Sequence, residues 1–228
     1  MLFDTEAVSP AGRPHTTVVW LHGLGQDAAS LIPFAHRTGL TAPDSGIRHV
    51  FVTAPRQSPG LTGDTPARAW FHQRVYALDH ADIPMLLSTE RALADLITAE
   101  SATVGPGRVV LAGFSQGACM SLVTALRHPA RLGGLVLYDP YLPSGFPLAT
   151  TRSPANTGLP VWIGQGRYDW IVPLFIGEEI RDLLSSWGHP VTWREYHDYP
   201  NTHQAFSGAE TDVRGFVQGE VGAGRGTE

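Results

Sequence analysis

The 228-residue chain carries 21 acidic and 16 basic residues, a net charge of −5, and a single cysteine. Cys119 alone excludes an internal disulfide and suits a reducing cytoplasm, and no cluster of basic residues offers the positive surface that nucleic-acid phosphates require. All sixteen basic residues are arginine, which excludes a Schiff-base lysine, a phosphate-loop lysine and a Ser–Lys dyad.

The first predicted element is Thr16–Leu21 (TTVVWL), a continuous β-branched and aromatic run of the kind buried on both faces of a parallel sheet. It ends at His22-Gly23-Leu24-Gly25, a turn that directs backbone N–H groups toward a reacting oxygen. Residues 49–53 read as the next strand. A connection over 54–82, rich in Pro, Gly, Ser and Thr, has the length of a functional or unstructured loop. In 83–97, Ile83, Leu86, Leu87, Leu93, Leu96 and Ile97 fall largely on one helical face. Strands follow at 108–112, Gly134–Tyr138, 160–164 and Val191–Tyr196, and helices at 116–126, 173–187 and 204–217. A second long connection spans 139–159, and residues 219–228 read as a disordered tail. The alternation predicts one α/β domain over 1–218, a mostly parallel central sheet with helices on both faces. No apolar run approaches the roughly 20 residues that cross a bilayer, and no secretory leader pattern is present, so the expected location is the cytoplasm.

One segment carries explicit chemistry. Gly113-Phe114-Ser115-Gln116-Gly117 follows a predicted strand and opens a predicted helix, the context in which G-x-S-x-G presents a nucleophilic serine. A serine hydroxyl needs a base within hydrogen-bond reach, and chain order in such folds runs Ser, then Asp or Glu, then His. Of the downstream histidines, His189 precedes the last strand and His197 ends it. His203 lies on the loop beyond, where a ring can swing over Ser115. Asp169, after the strand ending in WIGQG, is the favoured partner for His203; Asp139, after LVLY, competes from the neighbouring strand. Leu24 and Gln116 are the expected oxyanion-hole donors through their backbone N–H groups. Cys119 reads as a small buried residue, and no residue spacing predicts a metal site.

LHGLG, the segment Pro66, Arg68, Ala69, Trp70, Phe71, GFSQGA, a D-x-x-V-P segment and a late histidine together resemble the acyl-protein thioesterase and bacterial carboxylesterase family of α/β-hydrolases. The resemblance runs from about Thr17 to Val217. It implies an α/β-hydrolase fold with a minimal cap, no cofactor, and catalytic residues Ser115, Asp169 and His203. It further implies that Trp70 and Phe71 line or support an acyl groove. Tyr138 and Tyr141 depart from the family pattern and are expected to narrow the substrate pocket. The expected substrates are small-molecule or acyl-carrier esters and thioesters, with no nucleic-acid partner. The same triad also serves acyl transfer, ring closure or a specialised biosynthetic thioesterase. A hydrolase-fold protein that binds a ligand without turnover is the remaining alternative.

Overall fold

The computed structural model describes residues 3–57, 65–73, 81–197, 203 and 208–220. Its elements in chain order are β1 (Asp4–Val8), β2 (Thr16–Leu21), α1 (Ile32–Arg37), β3 (Ile47–Thr53), β4 (Arg56–Gln57), β5 (Ala67–Arg68), α2 (Ile83–Val104) and β6 (Val109–Phe114). They continue with α3 (Gln116–Arg127), β7 (Gly134–Tyr138), α4 (Leu148–Thr151), β8 (Val161–Gly166), α5 (Leu174–Ser186), β9 (Val191–Tyr196) and α6 (Glu210–Glu220).

Seven strands form one sheet in the order β1-β3-β2-β6-β7-β8-β9. Only β1 runs antiparallel to its neighbour, β3; all other pairs are parallel. The central strands read as unbroken apolar runs because both of their faces are covered. Along β2, Val19 and Leu21 pack with Leu111, Leu135 and Leu137 on one face, while Val18 and Trp20 join Val110, Val136 and Trp162 on the other. Helix α3 is buried from Gln116 to Leu126, packed against β6 and β7.

Several boundaries differ from expectation for identifiable reasons. Strand β1 has four exposed residues, so it lacks an apolar signature and is held by its backbone ladder to β3. Helix α2 continues seven residues past Ile97 through a polar stretch, because nothing interrupts it before Gly105. At its start the Asp82 side chain accepts the Met85 N–H, a capping contact. The connection over 54–82 is not structureless where it is described: β4 and β5 pair within it. The last helix begins at Glu210 rather than 204, since Gly208 has φ 72, outside the helical range; residues 204–207 lie outside the described set. Gly219 and Glu220 extend α6 into the expected tail, and 221–228 also lie outside.

Two histidines are built into the core as neutral rings. His49 accepts from Trp20 Nε1 (3.0 Å) and faces the Leu40 carbonyl (3.1 Å). His22 accepts the Ala54 N–H at Nε2 (3.0 Å), so its Nδ1 carries the proton toward the Gly23 carbonyl (2.7 Å). Burial holds both well below the ordinary histidine range, at about 4. Between pH 6.5 and 4 the unfolded chain therefore binds protons that the native state refuses, and stability falls as the pH drops. Each ring is expected to remove about 3 kcal/mol over that window, read as a falling urea midpoint. A midpoint that stays constant from pH 6.5 to 4 would contradict the assignment.

Candidate active site

Strand register brings the chemistry together at one edge of the sheet. Leu21 of β2 lies opposite Gly113 of β6, Phe114 opposite Tyr138 of β7, and Tyr138 opposite Gly164 of β8. The turns carrying Leu24, Ser115, Asp139 and Asp169 therefore emerge side by side from the strands' C-terminal ends, where open α/β sheets place their sites.

Ser115 sits between β6 and α3 at φ 54, ψ −119, a sharp reversal held by its N–H donating to the Tyr138 carbonyl (2.9 Å). The flanking glycines are required by close approach. A Cβ on Gly117 would stand 2.1 Å from the Leu21 carbonyl oxygen, and one on Gly113 would stand 2.3 Å from that of Gly117.

Ser115 Oγ lies 2.8 Å from His203 Nε2. On the far side of the ring, His203 Nδ1 pairs with Asp169 Oδ2. The other Asp169 oxygen accepts the N–H groups of Ile171 (2.7 Å) and Val172 (3.0 Å). Burial alone would raise this carboxyl, but the bond and charge of His203 and the Val172 N–H outweigh it and hold it below its ordinary value. A charged Asp169 fixes the proton on Nδ1 and leaves Nε2 as the acceptor facing Ser115.

The other candidates are placed elsewhere. His189 bonds the Leu159 carbonyl at the opposite edge, and His197 is exposed against Tyr168. Cys119 is fully buried one turn along α3, and burial pushes its thiol upward, away from the reactive thiolate. Asp139 is buried near His203, with Oδ2 3.8 Å from Nδ1. Asp139, Asp169 and His203 do offer three ligand-type atoms within 4.8 Å. In this cluster His203 Nδ1 bonds Asp169 and Nε2 faces Ser115.

The HGLG turn is braced so that one amide is left over. Gly23 N–H donates to Gln26 Oε1 (3.0 Å), and Gly25 N–H donates to the Arg68 carbonyl (2.8 Å). Among the described residues, no acceptor takes the N–H of Leu24 or of Gln116. Gln116 is the first residue of α3, where intrahelical acceptors are missing and the positive end of the helix dipole lies.

The four aromatics expected at the substrate lie in the core rather than at the surface. Trp70, Phe71 and Tyr138 are fully buried and Tyr141 nearly so, and none presents a face to solvent. Their apolar area is consumed by the core, and their polar atoms by braces. Trp70 Nε1 donates to the His22 carbonyl (2.7 Å), and its backbone N–H donates to Gln116 Oε1 (2.8 Å). Gln116 Nε2 in turn donates to the Phe71 carbonyl (3.0 Å). Tyr141 donates to Gln73 Oε1 (2.8 Å), and Tyr138 stacks between Trp162 and Tyr196. Through Gln116, Trp70 and Phe71 tie the Ser115 turn to the HGLG turn.

Three further residues contribute. Phe114, the variable residue before the serine, packs its ring 4.7 Å from that of His203 and supports the base. The Gln26 side chain and the Arg68 carbonyl fix the HGLG turn; Arg68 appeared only as part of a motif, and a lone Gln26 carries no pattern.

The phospholipase/carboxylesterase family model matches residues 4–218. The chain belongs to that family. Among curated relatives, acyl-protein thioesterase 1 of Mycosarcoma maydis is 29% identical over 224 residues, covering 90% of this chain and 91% of the relative. Acyl-protein thioesterase 1 of Eremothecium gossypii is 33% identical over 171 residues, 73% of this chain and 72% of the relative. Among solved structures, acyl-protein thioesterase 2 of Zea mays superposes with a TM-score of 0.81 at 24% identity, covering 96% and 99% of the two chains. Membership of the phospholipase/carboxylesterase family makes this protein an α/β-hydrolase enzyme of the serine-hydrolase kind, cleaving carboxylic esters or thioesters. No helix among the described residues is long and apolar enough to cross a membrane.

Proposed function

We propose that Ser115, His203 and Asp169 carry out two-step acyl transfer to water. The observation that carries this reading is the continuous line from Ser115 Oγ through both His203 nitrogens to Asp169. Ser115 attacks the substrate carbonyl while Nε2 takes its proton. The oxyanion is held by the Leu24 and Gln116 N–H groups, and the same histidine returns the proton to the leaving alcohol or thiol. Water, activated by Nε2, then releases the acid and restores Ser115.

The substrate is read as a small-molecule or acyl-carrier ester or thioester of short to medium chain, acted on in the cytoplasm. The relatives named acyl-protein thioesterase support the thioester class. The exposed aromatics Tyr168 and Trp170 adjoin Asp169 in the chain and add apolar surface next to it. The solitary buried Cys119 fits a reducing compartment. With p-nitrophenyl acetate, butyrate, octanoate and palmitate, kcat/KM is expected to peak at butyrate or octanoate and to fall for palmitate. Hydrolysis of none of the four would overturn the general-esterase reading, and a maximum at palmitate would overturn the chain-length reading.

A further inference from the structure

Asp139 is a carboxyl that the relay described above does not use. It follows β7 at φ 49, its N–H donates to the Gly164 carbonyl (2.9 Å), and its side chain is fully closed to solvent. Oδ1 accepts the Gly166 N–H (2.8 Å), which fixes the plane of the group. Among the described residues Oδ2 meets no hydrogen-bond donor, yet it is aimed at His203, 3.8 Å from Nδ1. A buried polar atom left over in this way requires an explanation, and its neighbours supply one. Among the described residues, the titratable groups facing it are Asp169 and His203.

We propose that Asp139 is a positioning residue for acyl transfer: it steadies Asp169 against His203, and it takes over the ring's Nδ1–H when Asp169 cannot accept it. The proposal rests on the catalytic assignment above. Two charged carboxylates cannot share so dry a site. Burial, and then the charge of Asp169, push Asp139 well above the ordinary carboxylate range. In the resting enzyme Asp139 keeps its proton on the side facing Asp169, whose charge is thereby stabilised and kept on His203. If Asp169 loses its charge, the like-charge part of that elevation disappears; burial remains, and the positive charge that develops on the His203 ring as it takes the Ser115 proton offsets it. Asp139 then releases its proton to water, and its carboxylate needs a shift of only about 1 Å to reach hydrogen-bond distance from Nδ1.

The Asp169→Asn variant makes the distinction sharp. Two backbone N–H groups point at Oδ1 of residue 169, so the amide oxygen takes that place and the NH2 faces the histidine. Alone, that arrangement forces the wrong tautomer and lowers kcat by about 10,000-fold. With Asp139 behind it, kcat for p-nitrophenyl butyrate is expected to fall only about 100-fold in Asp169→Asn, and by the full ~10,000-fold in Asp139→Asn/Asp169→Asn. The low-field proton resonance of His203 Nδ1–H is expected to survive in the single variant and to vanish in the double. Equal kcat in the single and double variants, or loss of the resonance in the single variant, would overturn the proposal.

A second measurement does not need Asp169 to be altered. Because the native state keeps the Asp139 proton where the unfolded chain has lost it, Asp139 weakens the fold progressively as pH rises above about 4. Asp139→Asn is therefore expected to melt higher than wild type at pH 8, with the gap closing toward pH 4. An Asp139→Asn variant that melts lower at both pH values would mark a charged structural carboxylate and overturn the proposal. A Ser115→Ala control that kept full activity would instead overturn the catalytic assignment itself.

Discussion

Ser115→Ala is expected to lower kcat for p-nitrophenyl esters by about a million-fold while leaving the fold intact. The magnitude follows from the unity of the relay. Without Oγ, His203 Nε2 has no proton to take, Asp169 has no imidazolium to stabilise, and no acyl-enzyme forms. What is expected to remain is the proposed two-amide oxyanion site at Leu24 and Gln116, which would still polarise a carbonyl for attack by water. KM is expected to move little, because Oγ contributes mainly to the transition state. Stability is expected to stay close to wild type, since the substitution removes one hydroxyl and the turn is held by the Ser115 N–H bond to the Tyr138 carbonyl. Steady-state hydrolysis and a thermal melt check both parts, and a residual rate within tenfold of wild type would contradict the assignment.

Gly117→Ala is expected to act through the backbone. The added methyl would lie 2.1 Å from the Leu21 carbonyl oxygen and 2.5 Å from that of His22. Both atoms belong to the end of β2 and its exit into HGLG, and neither can yield like the tip of a flexible side chain. Helix α3 must retreat from β2, although it is buried along nearly its whole length. The cost is expected to exceed about 4 kcal/mol, in the range of severe core overpacking. Whatever fraction remains folded has the Gln116 amide displaced from the Leu24 amide, and loss of one oxyanion donor alone lowers kcat about 100- to 1,000-fold. Urea unfolding together with kcat on the folded fraction separates these effects. A variant with wild-type stability and turnover would show that the approach of α3 to β2 is not required.

The parts of the molecule that could be read from sequence are those where one physical demand dominates. A strand covered on both faces must be apolar throughout, so Thr16–Leu21 and Gly134–Tyr138 stand out with correct bounds. The serine turn demands glycine at positions 113 and 117 for steric reasons alone, so Ser115 could be recognised before any partner was known. His203 and Asp169 followed from chain order, and the structure brings both to Ser115. Asp139 ranks second as the partner of His203; its 3.8 Å approach to that ring, across two strands, is not written in the sequence.

Elsewhere one residue type answers to several demands. Trp70 and Phe71 carry the same apolar signal whether they line a groove or brace it, and the structure buries them. Strand β1 owes its existence to backbone pairing rather than to side chains, so Asp4–Val8 bears no pattern. The support of His203 by Phe114 is a contact between residues 89 positions apart, and composition does not encode it.

The claim beneath all of this is that catalysis passes through a covalent acyl group on Ser115. The most direct measurement is mass spectrometry of the intact protein quenched with acid milliseconds after mixing with p-nitrophenyl butyrate, followed by peptide mapping. The account predicts a butyryl adduct on Ser115 that forms with the burst of nitrophenol and is absent from Ser115→Ala. An adduct on another residue, or turnover with no adduct in a protein that shows a burst, would contradict it.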